Sequence, residues 1–158
     1  PLKKYMKNCI FCKIIKGEAP SYKIWEGREH LAFLTPYPNT EGFSVVVTKR
    51  HYPSYAFKLP DNILKKLVIA TKKVAKKLDT GLGDVGRTGM IFEGFGVDHV
   101  HAKLFPMHGT KSKTWKPRNS NIKKYFKKYE GYISSHDYKR ESDKRLKKTA
   151  KKILEATP

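Results

Sequence analysis

The most regular hydrophobic pattern in the chain lies between Pro60 and Gly81. Leu64, Leu67, Val68, Thr71, Val74, Ala75 and Leu78 recur at helical spacing and form one apolar stripe. Lys65, Lys66, Lys72, Lys73, Lys76 and Lys77 lie mostly off it, as a solvated face would. The spacing predicts a helix over 61–78, N-capped by Asp61 and ended by Gly81 and Gly83. Strand patterns flank it. Residues 22–26 and 30–35 read as two strands around the turn Gly27-Arg28-Glu29. The β-branched run 43–48 reads as a third, and 88–92 and 99–105 as two more. A short helix or turn is expected over 9–16, stopped by Gly17. A final helix is expected over 142–154, with a thin stripe of Leu146, Ala150, Ile153 and Leu154. Strands, then a helix, then strands again predict an α+β fold: an antiparallel sheet packed with one long helix.

Charge divides this picture. The chain of 158 residues carries a formal net charge of +20. Residues 110–158 hold 16 Lys and Arg against 5 Asp and Glu, so a boundary is placed near Gly109. The two expected parts are a nucleotide-binding domain over 8–109 and a Lys-rich C-terminal extension over 110–158, packed on or next to it. Such a field draws anions. The excess of Lys over Arg also fits simple solvation, since Arg is the better bidentate reader of phosphate. No apolar run reaches the ~18–20 residues that span a bilayer, so no membrane partner is expected. The basic start at residues 1–5 is followed by no apolar signal region, which points to the cytoplasm, and Met6 is a candidate natural start.

The chemistry gathers on residues 99–105. Strand alternation puts His99, His101, Lys103 and Phe105 on one side and Val100, Ala102 and Leu104 on the other. Two imidazoles and an ammonium in a row are costly to bury without an anionic partner or a metal. They suit the floor of a phosphate pocket, with His108 just beyond. A neutral imidazole is a competent nucleophile near pH 7. One ring nitrogen of His101 would attack phosphorus while the other holds its proton on a carbonyl. Lys103 and nearby N–H groups would stabilise the equatorial oxygens. Cys9-x2-Cys12 has the spacing of a metal knuckle or of two buried structural cysteines.

These segments together resemble the histidine triad (HIT) family of nucleotide hydrolases and transferases. The likeness covers about residues 8–109. It rests on Asn8-Cys9-Ile10-Phe11-Cys12-Lys13-Ile14-Ile15, Gly17-Glu18-Ala19-Pro20, Leu31-Ala32-Phe33, Val47-Thr48-Lys49-Arg50-His51, Glu93-Gly94 and the His99–Phe105 strand. The resemblance implies a homodimer formed through the long helix and a sheet edge. It implies His101 as nucleophile, with His99 and Lys103 in the catalytic motif. Its substrate would be a purine nucleotide conjugate, a phosphoramidate or a dinucleoside polyphosphate. It implies Ile10, Phe11 and Ile14 as walls of the base pocket; Thr35 and His108 are further candidate nucleotide contacts. It also implies that Cys9, Cys12, His51 and His99 hold a structural Zn2+. The chain departs from the family at three positions. Lys103 stands at the third histidine, Thr35 where relatives carry the ribose-holding Asp, and Phe92 where an Asn is common. These departures keep open a nucleotide-binding protein with weak or lost turnover.

The extension leaves two alternatives. Trp115, Tyr125, Tyr129, Tyr132 and Tyr138, interleaved with Lys, could stack bases and track phosphates, as in a nucleic-acid end-processing or binding protein. They could equally be packing residues. Tyr132 through Asp137 is expected to fold back so that His136 substitutes for the missing third histidine.

Overall fold

A computed structural model describes residues 6–155; the basic start at residues 1–5 lies outside the described residues. The elements run α1 (Ile10–Lys16), β1 (Tyr22–Glu26), β2 (His30–Leu34), β3 (Ser44–Thr48), a 3-10 turn (Ala56–Lys58), α2 (Asp61–Gly81), β4 (Thr88–Ile91), β5 (His101–Pro106) and α3 (Asp143–Leu154). The strands form one antiparallel sheet in the order β1-β2-β3-β5-β4. This is the expected α+β architecture.

Alternation on the strands builds two cores. On one face Ala32, Val46, Ala102 and Leu104 meet Leu67, Ala70, Val74 and Leu78 of α2. On the other Leu31, Phe33, Val45 and Val47 meet Phe11 and Cys12 of α1. Leu67, Val46, Val47, Val74 and Ala102 are fully shielded, and each large apolar side chain so buried contributes about 1.5–3 kcal/mol. Two boundaries differ from the sequence reading. Asp61 is the first helical residue of α2 and Pro60 takes the cap position, so the Asp61 side chain caps nothing. Its carboxylate instead stands in the first turn, where the helix dipole favours it. β5 starts at His101 because the backbone before it bonds elsewhere: the Val100 N–H donates to the Tyr52 carbonyl at 2.9 Å.

α1 is capped at both ends. The Cys9 sulfur accepts from the Cys12 N–H, and Gly17 closes the helix at φ 77°, a left-handed conformation that glycine adopts without strain. The chain separates into two compact units, one running to Trp115 and the other from Lys116. In the second unit, α3 is N-capped by Ser142, which accepts from the Arg145 N–H. Its aromatics pair with one another: Tyr125 with Tyr138 at 5.7 Å and Phe126 with Tyr132 at 5.3 Å. Among the described residues no helix is long and apolar enough to cross a membrane.

Candidate active site and metal cluster

β5 carries His101 into the sheet opposite Val47 of β3. Its ring is 4% exposed and packs edge-on against Phe11, centroids 5.1 Å apart. Its Nδ1 lies 2.6 Å from the His99 carbonyl. A carbonyl only accepts, so Nδ1 carries the hydrogen and Nε2 keeps a lone pair. Burial pushes the His101 pKa below its usual value, and the Lys103 charge adds to this. The bond to His99 and the Glu93 carboxylate oppose it. The imidazole is therefore neutral at pH 7, and its orientation and tautomer are set by the backbone two residues earlier.

His99 is fully buried and points to a different task. Its Nε2 donates to the Thr48 carbonyl at 2.8 Å, which leaves Nδ1 as the bare atom. That atom is 3.4 Å from the Cys9 sulfur, 3.6 Å from the Cys12 sulfur and 3.3 Å from Nδ1 of His51. Cys12 and His51 Nδ1 are 3.6 Å apart. The four donor atoms all lie within 4.8 Å of one another and all four residues are buried. A tetrahedral ion with bonds of about 2.0–2.3 Å needs donor separations of roughly 3.3–3.8 Å. The separations measured from His99 and between Cys12 and His51 fall in that range, so the cluster fits a closed four-coordinate metal site. Burial pulls the His99 pKa down to about 4 and also lowers that of His51. Neutral imidazoles are the form a metal takes.

Local bonds explain how distant segments meet here. The Val100–Tyr52 bond sets His99 beside His51. The Asp98 carboxylate accepts from the Ser54 N–H at 2.8 Å. Gly94 sits at φ 74°, and a Cβ there would lie 2.9 Å from the Ser54 carbonyl. The loop before β5 is thus tied down against residues 52–54.

The remaining candidate residues fall in three places. Phe11 and Ile14 belong to the α1-side core, while Ile10 is 46% exposed on the same helix. Thr35 follows β2 on the His101 face by alternation, and its hydroxyl accepts from the Tyr37 N–H at 3.3 Å. Lys103 faces the same side, ion-paired to Glu93, whose side chain is only 9% exposed. Glu93 stood in the sequence only as part of a motif; its charge role follows from the β4–β5 register, which sets Ile91 opposite Lys103. His108 is not brought to His101. It lies past the far end of β5, with Nδ1 2.9 Å from Asp84 and Nε2 2.8 Å from the Glu41 carbonyl. His136 commits both ring nitrogens inside the second unit, to the Ser134 hydroxyl and the Lys124 carbonyl.

Several known proteins resemble this chain. A family model described as the HIT domain matches residues 16–110. An uncharacterized HIT-like protein of Methanocaldococcus jannaschii is 38% identical over 104 residues, 63% of this chain and 79% of its own. An adenosine 5'-monophosphoramidase of Saccharomyces cerevisiae is 36% identical over 104 residues, 66% of this chain and 65% of its own. A crystal structure from Streptococcus mutans superposes with a TM-score of 0.67 at 26% identity, covering 96% of this chain and 86% of that one. A zinc-bound histidine triad family protein of Mycobacterium smegmatis superposes at 0.60 with 21% identity, covering 72% and 84%.

Proposed function

The chain belongs to the HIT domain family, and from that premise we propose that it hydrolyses or transfers at the α-phosphate of a purine nucleotide conjugate, through a covalent intermediate on His101. The carrying observation is the tautomer lock: Nδ1 donates to the His99 carbonyl at 2.6 Å and Nε2 is left as nucleophile. Likeness to an adenosine 5'-monophosphoramidase supports a phosphoramidate as the substrate type. In the proposed step the Nε2–P bond forms as the bond from phosphorus to the leaving group breaks. Water then attacks phosphorus and releases the His101 nitrogen. Lys103 lies two residues along on the same face and would steady the non-bridging oxygens. Phe11 and Ile14 would wall the base, with Ile10 and Thr35 at its rim.

Cys9, Cys12, His51 and His99 would hold Zn2+. The ion's part would be structural: with all four positions taken by protein it fixes His99, and through the His99 carbonyl the orientation of His101. Exposed Ile69 on α2 and Met90 on β4 support a homodimer through the helix and the sheet edge.

The test is turnover of an adenosine phosphoramidate and a diadenosine polyphosphate, wild type against His101→Ala. A loss of order 10³-fold, about 4 kcal/mol in the barrier, is expected. Equal rates would overturn the covalent role. A wild type that binds AMP without turnover would favour a nucleotide-binding protein, a reading that the Lys103–Glu93 pair at the third triad position supports.

A further inference from the structure

His30 is the buried imidazole that the reaction does not use. It opens β2 opposite Thr48 of β3. Alternation turns its side chain to the face of Ala32 and α2, away from Phe11 and His101. It is 7% exposed; among the described residues its ring nitrogens make no hydrogen bond, and neither is shut off from solvent. What His30 meets is a cavity of about 350 Å³.

The walls of that cavity are cationic. Arg28, Lys49, Arg50 and Lys66 line it with His30, and Tyr52 and Ile63 supply an apolar part. Within this group Glu29 pairs with Lys66 at 3.0 Å, and Glu26 beside it pairs with Lys49 at 2.6 Å. Arg50 lies over the Tyr52 ring at 5.7 Å. A second cavity of about 350 Å³ shares Arg28, Glu29, His30 and Lys66 and adds Lys65 and Lys73. The two cavities meet at the same recessed imidazole.

We propose that this cavity is a second anion site, on the sheet face opposite His101, and that it takes a small organic phosphate. Two arginine forks and two ammonium groups suit a multivalent oxyanion better than a single carboxylate. The volume is that of a small-molecule pocket, and Tyr52 and Ile63 give the organic part somewhere to lie. Burial holds the His30 pKa below its usual value, so its ring gives one N–H donor without adding charge. A recessed donor of this kind is reached by a small ligand, not by the backbone of a duplex.

The full chain is titrated calorimetrically with inorganic pyrophosphate and, separately, with a short oligonucleotide. One pyrophosphate equivalent is expected that weakens at least tenfold in both Arg28→Ala and His30→Gln. The same equivalent is expected to persist in Lys103→Met, which alters the His101 face, and in Lys77→Ala, which removes an α2 charge outside the cavity. Arg28 is exposed, so its variant keeps the test valid if His30→Gln unfolds. No pyrophosphate binding by the wild type overturns the proposal. So does equal weakening in Arg28→Ala and Lys77→Ala, which would mark a diffuse field. Loss of that equivalent in Lys103→Met would assign it to the His101 face. Oligonucleotide binding that needs Arg28 without any pyrophosphate binding would make this a nucleic-acid surface instead.

Discussion

Two side-chain pairs of the first unit respond to different perturbations. In the His108–Asp84 pair, the bond to the Glu41 carbonyl and then Asp84 raise the His108 pKa. His108 and the Gly109 N–H lower that of Asp84. The histidine therefore adds stability below its ordinary pKa of about 6.5, which fades as pH rises through the raised value. The carboxylate adds stability above about 3.9, which fades as pH falls through the lowered value. Both are present between these limits. Asp84→Asn is expected to lower Tm more at pH 5.5 than at pH 8.5; an equal loss at both would show that the pair is not charged. In the Lys103–Glu93 pair the partners differ in exposure, 26% for the lysine side chain and 9% for the glutamate. Taking the cation away from the better-buried carboxylate costs more, although the Phe95 N–H still donates to it at 3.3 Å. Urea unfolding should find Lys103→Met destabilised by about 2 kcal/mol and Glu93→Gln by about 1 kcal/mol. The reverse order would contradict this account of the pair.

Among the elements, α2 puts the packing argument to a direct test. Leu67 has no exposure, whereas Ile69, two residues on, is 54% exposed. Leu67→Ala should cost about 2–5 kcal/mol, the transfer term plus the cavity left behind. Ile69→Ala in the monomeric chain should cost under about 0.5 kcal/mol. Comparable midpoints in denaturant for the two variants would mean that the stripe is misplaced. That stripe was readable in advance because seven positions repeat with one period and nothing competes with it. The same holds for the two faces of β5, where Ala102 and Leu104 go to α2 and His101 goes to Phe11. What the sequence hid depends on register and on partners far along the chain. Glu93 beside Lys103 follows from how β4 slides against β5. His30 reads as an ordinary strand residue until α2 closes over it. The capture of His108 by Asp84 and Glu41 needs a turn and a loop, neither of which has a period. The bulge between Lys23 and Trp25 in β1 also left no mark in the alternation.

At the scale of the molecule, the Cys2His2 cluster joins three separate parts of the chain. Its donors come from the start of α1, the segment after β3 and the segment before β5, up to 90 residues apart. Both cysteines are free thiols, so no disulfide performs this linkage. An ion that binds only the folded chain stabilises it by mass action, about 4 kcal/mol when free metal exceeds Kd 1,000-fold. For a chain of this size that is roughly 8–16 °C in Tm. The first unit has its own core in the α2 face, so metal removal should lower Tm by this amount without abolishing folding. The loss should concentrate on α1, whose Phe11 and Cys12 are anchored beside the cluster. Hydrogen exchange after chelation is expected to speed up across α1 while the amides of α2 stay protected. Cys12→Ser should reproduce the lower Tm and make it insensitive to added zinc. If chelated and zinc-loaded protein melt together, and the purified chain holds no metal, the four residues are a buried polar cluster without an ion. His99 would then be held by the Thr48 carbonyl and by the Val100–Tyr52 backbone bond.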